Sequence, residues 1–322
     1  MIEPAVPSDA GAALHAVAAP VTCPPVPSRA LARIELCLSG VLFGLMAVLA
    51  RRLSRAPGLF TAGHLSVLRF AVGAVVSLAL FRLRPGTYRP HDYRLLVTRG
   101  ISGGLVVVLY FWALARIPAG EAGLLYNLFP VIATGMSLFA FGERPTVHLL
   151  AALALATAGV AFVLGAAHGV RFGVGLGELS AVAAAVFAAS SANVIRAMRG
   201  TDNAPTIFFF FCLVGLPVVL PFALDPWPTV PWAWGLAVLV GVAAFGAQVL
   251  MTEAYGALSV SEAAVWLQLT PIAQCVLAWP ILGERPGIAG LAGVALAMTG
   301  VAYGTVLGHR AAGPDSPGRP RP

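Results

Sequence analysis

Charge is what this chain has least of. Only 10% of its residues are Asp, Glu, Lys or Arg, where soluble domains carry about a quarter, so a freely soluble globular protein is excluded. Lysine is absent and all twenty basic residues are arginine. No basic cluster is interleaved with aromatic residues, so the net charge of +7 is not a nucleic-acid footprint. In a membrane protein it reflects cationic loops that set topology. The four cysteines, Cys23, Cys37, Cys212 and Cys275, are scattered, which indicates neither a disulfide framework nor a metal site. HExxH, CxxC, GxxxxGK[ST] and GxSxG are all missing, so no metal, cofactor or catalytic residue is expected and the chain is read as a non-enzyme. Lacking a P-loop, any uphill transport would draw on an ion gradient or on exchange.

What is abundant is apolar sequence. Hydrophobic residues make up 59% of the chain and come in blocks of about 20, the length that crosses a hydrocarbon core of roughly 30 Å. Ten spans are expected, at 34–50, 59–82, 95–115, 119–141, 146–166, 174–198, 206–224, 232–255, 260–282 and 287–307. The fold class is an all-α integral membrane protein. Residues 1–30 are Ala-, Pro- and Val-rich without a basic n-region and residues 308–322 are Gly-, Pro- and Arg-rich, so both are expected to be disordered tails rather than a cleaved leader or further spans. With the N-terminus inside, twelve arginines fall on the inner side, against Arg51, Arg52, Arg55, Arg116, Arg171 and Arg285 outside. Both termini are therefore expected in the cytoplasm.

The strongest signal is a duplication. Residues 119–165 align without a gap on residues 260–306, shifted by 141 positions. Glu121 falls on Glu262, Asn127 on Gln268, Pro130 on Pro271, and Gly142-Glu143-Arg144-Pro145 on Gly283-Glu284-Arg285-Pro286. Two repeats are expected, at 31–167 and 172–307, each of five spans. An odd number of spans forces the second repeat to enter the membrane inverted, an architecture of secondary transporters.

Pro130 and Pro271 lie inside the fourth and ninth spans. Each removes a backbone donor and clashes with the carbonyl four residues back, and freed carbonyls in a membrane need a cavity, water or a polar side chain. Asn127 and Gln268 stand within the same turn, so a proline-broken helix beside an amide in both halves makes a candidate midplane site. A structural kink with the amides as interhelical glue is the plainer reading. Trp266, Gln274, Tyr126, Tyr110, Trp112 and Tyr255 could line the same cavity, although aromatic residues are also common at membrane interfaces. Arg69 has no acid in its own span and must find a partner or a wet cavity, either an anionic group of the substrate or a structural pair. Glu253 is the candidate proton-linked carboxylate, while Glu121 and Glu262 open helices, where a carboxylate complements the N-terminus. The Gly-Glu-Arg-Pro runs read as turns, with a gating salt bridge the alternative. Ala152/Ala156 and Gly293/Ala297 give small-residue faces suited equally to a homodimer and to packing within one monomer.

The paired Pro-x11-Gly-Glu-Arg-Pro blocks, each followed by an Ala/Leu/Gly-rich helix ending Gly-Val-Ala, resemble the drug/metabolite transporter superfamily, in particular transporters built of two EamA domains. The resemblance covers residues 34–307. It implies an inner-membrane carrier of small metabolites, amino acids or toxic compounds, often working outward, with a central cavity between the repeats. Cavity residues vary within that family, so Asn127, Gln268, Trp266 and Arg69 rest on the residues themselves. The expectation is a small-molecule exporter in a lipid bilayer, with a flippase for a lipid-linked headgroup as the alternative.

Overall fold

The computed structural model describes residues 27–55, 58–114, 116–117, 123, 125–143, 145–168, 175–283, 285 and 287–311. Residues 1–26 and 312–322 of the expected tails, together with Glu121, Arg144, Glu284 and Pro286, lie outside the described residues, whereas 29–30 and 308–311, expected in the tails, are helical. Within the described residues all regular structure is helical. The helices are α1 (Arg29–Arg55), α2 (Ala62–Leu83), α3 (Tyr93–Leu114), α4 (Phe129–Phe141), α5 (Val147–His168), α6 (Leu176–Met198), α7 (Ala204–Val219), α8 (Pro231–Ala254), α9 (Val260–Leu267), α10 (Leu269–Leu282) and α11 (Ile288–Ala311). Seven stretches are long and apolar enough to cross a membrane, counting Val260–Leu282 as one, and Phe129–Phe141, Val147–Val163 and Ile288–Gly304 are shorter apolar helices. The chain is a multi-pass membrane protein.

Local chemistry sets the helix ends. Thr61 caps α2, its hydroxyl accepting from the His64 N–H at 3.3 Å while His64 Nδ1 accepts from the Thr61 N–H at 3.2 Å. Nε2 is then the ring nitrogen that donates, to the Asp225 carbonyl at 3.0 Å. Asp92 accepts from the amides of Arg94 and Leu95 at the start of α3, Asn203 from Thr206 at the start of α7, and Ser259 from Glu262 at the start of α9. These are the side chains that satisfy orphan amides at helix N-termini. Gly142 and Gly283 end α4 and α10 at φ 63° and 72°, left-handed values that a side chain would resist.

The main pairings are α1 with α8 and α10, α6 with α3 and α4, α2 with α7 and α8, α3 with α7, α4 with α9, and α5 with α11. The α5–α11 seam is glycine-packed. A Cβ on Gly300 would sit 2.9 Å from the Ala152 carbonyl oxygen, and one on Gly293 would sit 2.8 Å from the Gly159 carbonyl oxygen. Gly159 likewise backs directly onto Ala297. The small-residue faces are used here between two helices of one chain, where backbones approach closely enough for dispersion to hold them.

Candidate functional site

The fourth and ninth spans are interrupted where the prolines stand. Gln268 separates α9 from α10, and Pro271 is the third residue of α10. Asn127 and Leu128 form a turn before α4, and Pro130 is its second residue. Each proline thus sits in a first helical turn, where its missing N–H costs nothing. Polar side chains from neighbouring segments converge on both breaks. Asn127 Nδ2 donates to Gln268 Oε1 at 2.9 Å, and Gln268 Nε2 donates to the Thr157 hydroxyl of α5 at 2.8 Å. Gln268 is fully buried. Nearby, Thr134 donates to the Pro130 carbonyl at 2.9 Å, and Asn193 of α6 donates to the Ala133 carbonyl at 3.2 Å. Two residues equivalent in the duplication therefore meet each other across the two halves.

Beside this crossing lies a cationic centre. Arg69 of α2 and Arg99 of α3 both face the ring of Phe211 on α7, at 5.9 Å and 4.1 Å from its centroid. Arg69 is deep in the bundle yet keeps accessible surface, whereas Arg99 is only 4% exposed. Tyr126 lies within electrostatic reach of both, and its ring packs tilted against that of Tyr110 with centroids 4.9 Å apart. Gln248 of α8 accepts from Arg99 Nη2 at 3.4 Å, a weak bond at that length. No Asp or Glu among the described residues pairs with either arginine.

The acids that form ion pairs lie elsewhere, at the end of the bundle where α1 and α9 begin and α6 and α8 finish. Glu262 takes both Arg29 (3.0 Å) and Arg33 (2.7 Å). Glu143, in the turn after α4, accepts from the Val260 N–H at the start of α9 (3.2 Å) and lies 4.0 Å from Arg196. Arg196 also donates to the carbonyls of Tyr255 and Gly256. Glu253 pairs with Arg199 at 2.6 Å, and Glu35 approaches the same pair with one carboxylate oxygen buried and without a hydrogen bond to any described residue.

The sequence-derived candidates are therefore distributed unevenly. Asn127 and Gln268 are bonded to each other, and Arg69 and Tyr126 stand together. Trp266 packs in the apolar cluster of Ala152, Ala264 and Val301, and its indole N–H has no partner among the described residues. Gln274 lies on the stretch of α10 that backs onto Gly44 of α1. Trp112 is 38% exposed beneath the Arg116 guanidinium, and Tyr255 is a core residue. Arg99, Gln248 and Glu35 are participants to which sequence reading gave no role in the site, while Glu143, whose turn carried a salt bridge as its alternative reading, approaches Arg196 at 4.0 Å. For Arg99 a signal existed, since it is a second arginine within an apolar span followed at i+4 by Gly103.

A multi-pass helical bundle with two arginines inside it and ion pairs crossing between its halves at one end has the form of a membrane transporter. The EamA-like transporter family model matches residues 32–165 and again 175–305, and the chain belongs to that family. Among curated relatives, the pseudopaline exporter CntI of Pseudomonas aeruginosa is 26% identical over 271 residues, covering 81% of this chain and 93% of that protein. A probable terminal-alkyne amino-acid exporter of Streptantibioticus cattleyicolor is 29% identical over 250 residues, 74% of this chain and 82% of that protein. One crystal structure superposes with a TM-score of 0.76 at 24% identity, covering 88% of this chain and 100% of that one.

Proposed function

We propose that this protein is a secondary-active carrier that exports small organic metabolites or amino acids by alternating access between two inverted repeats of five spans. It resides in the inner membrane with both termini in the cytoplasm. The observation that carries this reading is the exchange symmetry of its contacts. Swapping the halves turns the α1–α8 pairing into the α6–α3 pairing and α1–α10 into α6–α4. The same exchange maps the Asn127–Gln268 bond onto itself and the Gly293–Gly159 approach onto Ala152–Gly300. Two near-equivalent halves can trade conformations at small cost, opening one central site first to one side and then to the other. The two curated relatives, named as exporters of pseudopaline and of an amino acid, favour outward movement of small metabolites.

In this mechanism Asn127, Gln268, Tyr126, Arg69, Trp266 and Gln274 contribute to the substrate site, and the breaks at Pro130 and Pro271 let the half-helices tilt. The cross-repeat contacts of Glu143 and Glu262 hold one end shut. Glu253 is the proton-coupling carboxylate: protonating it would release Arg199 and loosen the α6–α8 junction at that same end. The test is uptake of labelled amino acids and small metabolites into proteoliposomes, with and without an imposed pH gradient. Saturable uptake of one class, accelerated by unlabelled substrate inside, is expected. Absence of uptake across the whole panel by demonstrably folded protein would refute the carrier.

A further inference from the structure

Resting on the carrier reading and specifying its ligand, we infer that Arg69 and Arg99 form a paired binding site for an organic anion bearing two carboxylates, one for each guanidinium. The charge balance is the first observation. Two cations share one aromatic ring inside a bundle meant for lipid, and they lie within electrostatic reach of each other. No acid among the described residues pairs with either. Intramembrane charges ordinarily pair with each other or mark a substrate pathway, and here the first option is not taken.

The unmet donors are the second observation. The Nε–H groups of both arginines are buried and without a hydrogen-bond partner among the described residues. Arg69 makes no hydrogen bond to any described residue, and Arg99 makes only the long one to Gln248. Buried donors left unpaired are costly, and a carboxylate accepting bidentately from a guanidinium fork is the group that satisfies them best.

Direction is the third. Arg99 lies near the start of α3, from which a long basic side chain ordinarily snorkels back to the interface. Its guanidinium instead lies over Gly103, one turn deeper, where a Cβ would strike Arg99 Nη1 and the Phe211 ring. The missing side chain at Gly103 is what lets the cation turn inward. Phe70 and Phe211 form the buried floor beneath the arginines, and the half-buried Tyr110 and Tyr126, their rings tilted against each other, give apolar surface for the carbon body of the ligand. Arginine, weakly hydrated and permanently charged, suits such a dry cationic site better than lysine, which this chain lacks.

The test is direct binding to the purified full chain in detergent micelles, followed by thermal unfolding. The titrants are succinate, glutarate, L-glutamate and citrate, with succinamide, acetate and inorganic phosphate as controls. At least one dicarboxylate is expected to raise the unfolding temperature saturably, with acetate weaker and succinamide inert. Arg69→Gln and Arg99→Gln should each weaken that binding at least tenfold. Should the glutamine variants fail to fold, Arg69→Lys and Arg99→Lys, which keep the charge but lose the fork, and Gly103→Ala, which moves Arg99, carry the test and should also weaken it. Equal protection by succinamide, protection by phosphate alone, no effect from any dicarboxylate, or unchanged binding in all the variants would each overturn the site. Binding as expected in protein that transports nothing would leave the site standing and remove the carrier. Transport of an uncharged compound, unaffected by either arginine substitution, would do the reverse.

Discussion

The contact between the two proline breaks makes a quantitative prediction about stability. Gln268 is fully buried and joins three segments, accepting from Asn127 at 2.9 Å and donating to Thr157 at 2.8 Å. Gln268→Leu keeps the side-chain volume and removes both bonds. Side-chain hydrogen bonds between membrane helices average about 0.6 kcal/mol and reach about 1.7 kcal/mol, so two of them give a loss of about 1–3 kcal/mol once the stranded Asn127 and Thr157 groups are counted. The double-mutant cycle with Asn127→Leu isolates the direct bond, because the Thr157 contribution is common to both arms. Its coupling energy should be about 0.6–1.7 kcal/mol. The assay is reversible unfolding in mixed micelles by a denaturing detergent, with helicity as the readout. Single effects that add to within about 0.3–0.5 kcal/mol, the limit for independent sites, would mean that the two amides do not touch, and the crossing of the halves at that point would be wrong.

Further consequences follow from packing and charge. Gly300→Val should destabilise by about 1–3 kcal/mol through overpacking, because a Cβ there would lie 2.5 Å from the Ala156 amide nitrogen. Gly135→Ala, where a Cβ would meet nothing within 4 Å, should be neutral or stabilise by about 0.5–1 kcal/mol, and the same unfolding assay compares the two. Glu143→Ala removes the acceptor for the Val260 amide and the partner of Arg196. It should cost about 1 kcal/mol and raise protease sensitivity in the turn around Ser259. Glu253→Gln should abolish stimulation of uptake by a pH gradient while leaving substrate exchange intact, and stimulation that persists would remove Glu253 from proton coupling.

Much of the helical layout is legible in the sequence because the bilayer imposes one period and one length. The expected spans 59–82, 95–115 and 232–255 fall within three residues of α2, α3 and α8. The turns at Gly142 and Gly283 were readable for a local reason, since a left-handed residue favours glycine. Long-range pairing was not readable. The Asn127–Gln268 bond requires the two repeats to cross at that depth, and a sequence offers only their equivalence. Glu143 reads as a head-group residue in a turn, because its partners Val260 and Arg196 lie far along the chain. Arg99 reads as a second arginine within an apolar span, but its position near the start of α3 does not say which way the side chain runs. Only the missing Cβ of Gly103, seen in three dimensions, turns it toward Phe211. Trp112, by contrast, is an aromatic residue beneath Arg116 at a helix end, a pattern that sequence cannot distinguish from a cavity wall.

Alternating access is tested most directly by the reactivity of a thiol placed beside the arginine pair. In a variant with the native cysteines replaced, Tyr126→Cys is reconstituted in oriented proteoliposomes and exposed to a membrane-impermeant maleimide from one side at a time. Labelling from both sides is expected. Adding Ser137→Cys and Ser261→Cys, at positions whose hydroxyls lie 3.5 Å apart across the two halves, and oxidising them should lock the end where α1 and α9 begin and confine labelling to the opposite side. Labelling from one side only before oxidation, or access from the locked side that is undiminished after it, would contradict a carrier that opens its central site to each face in turn.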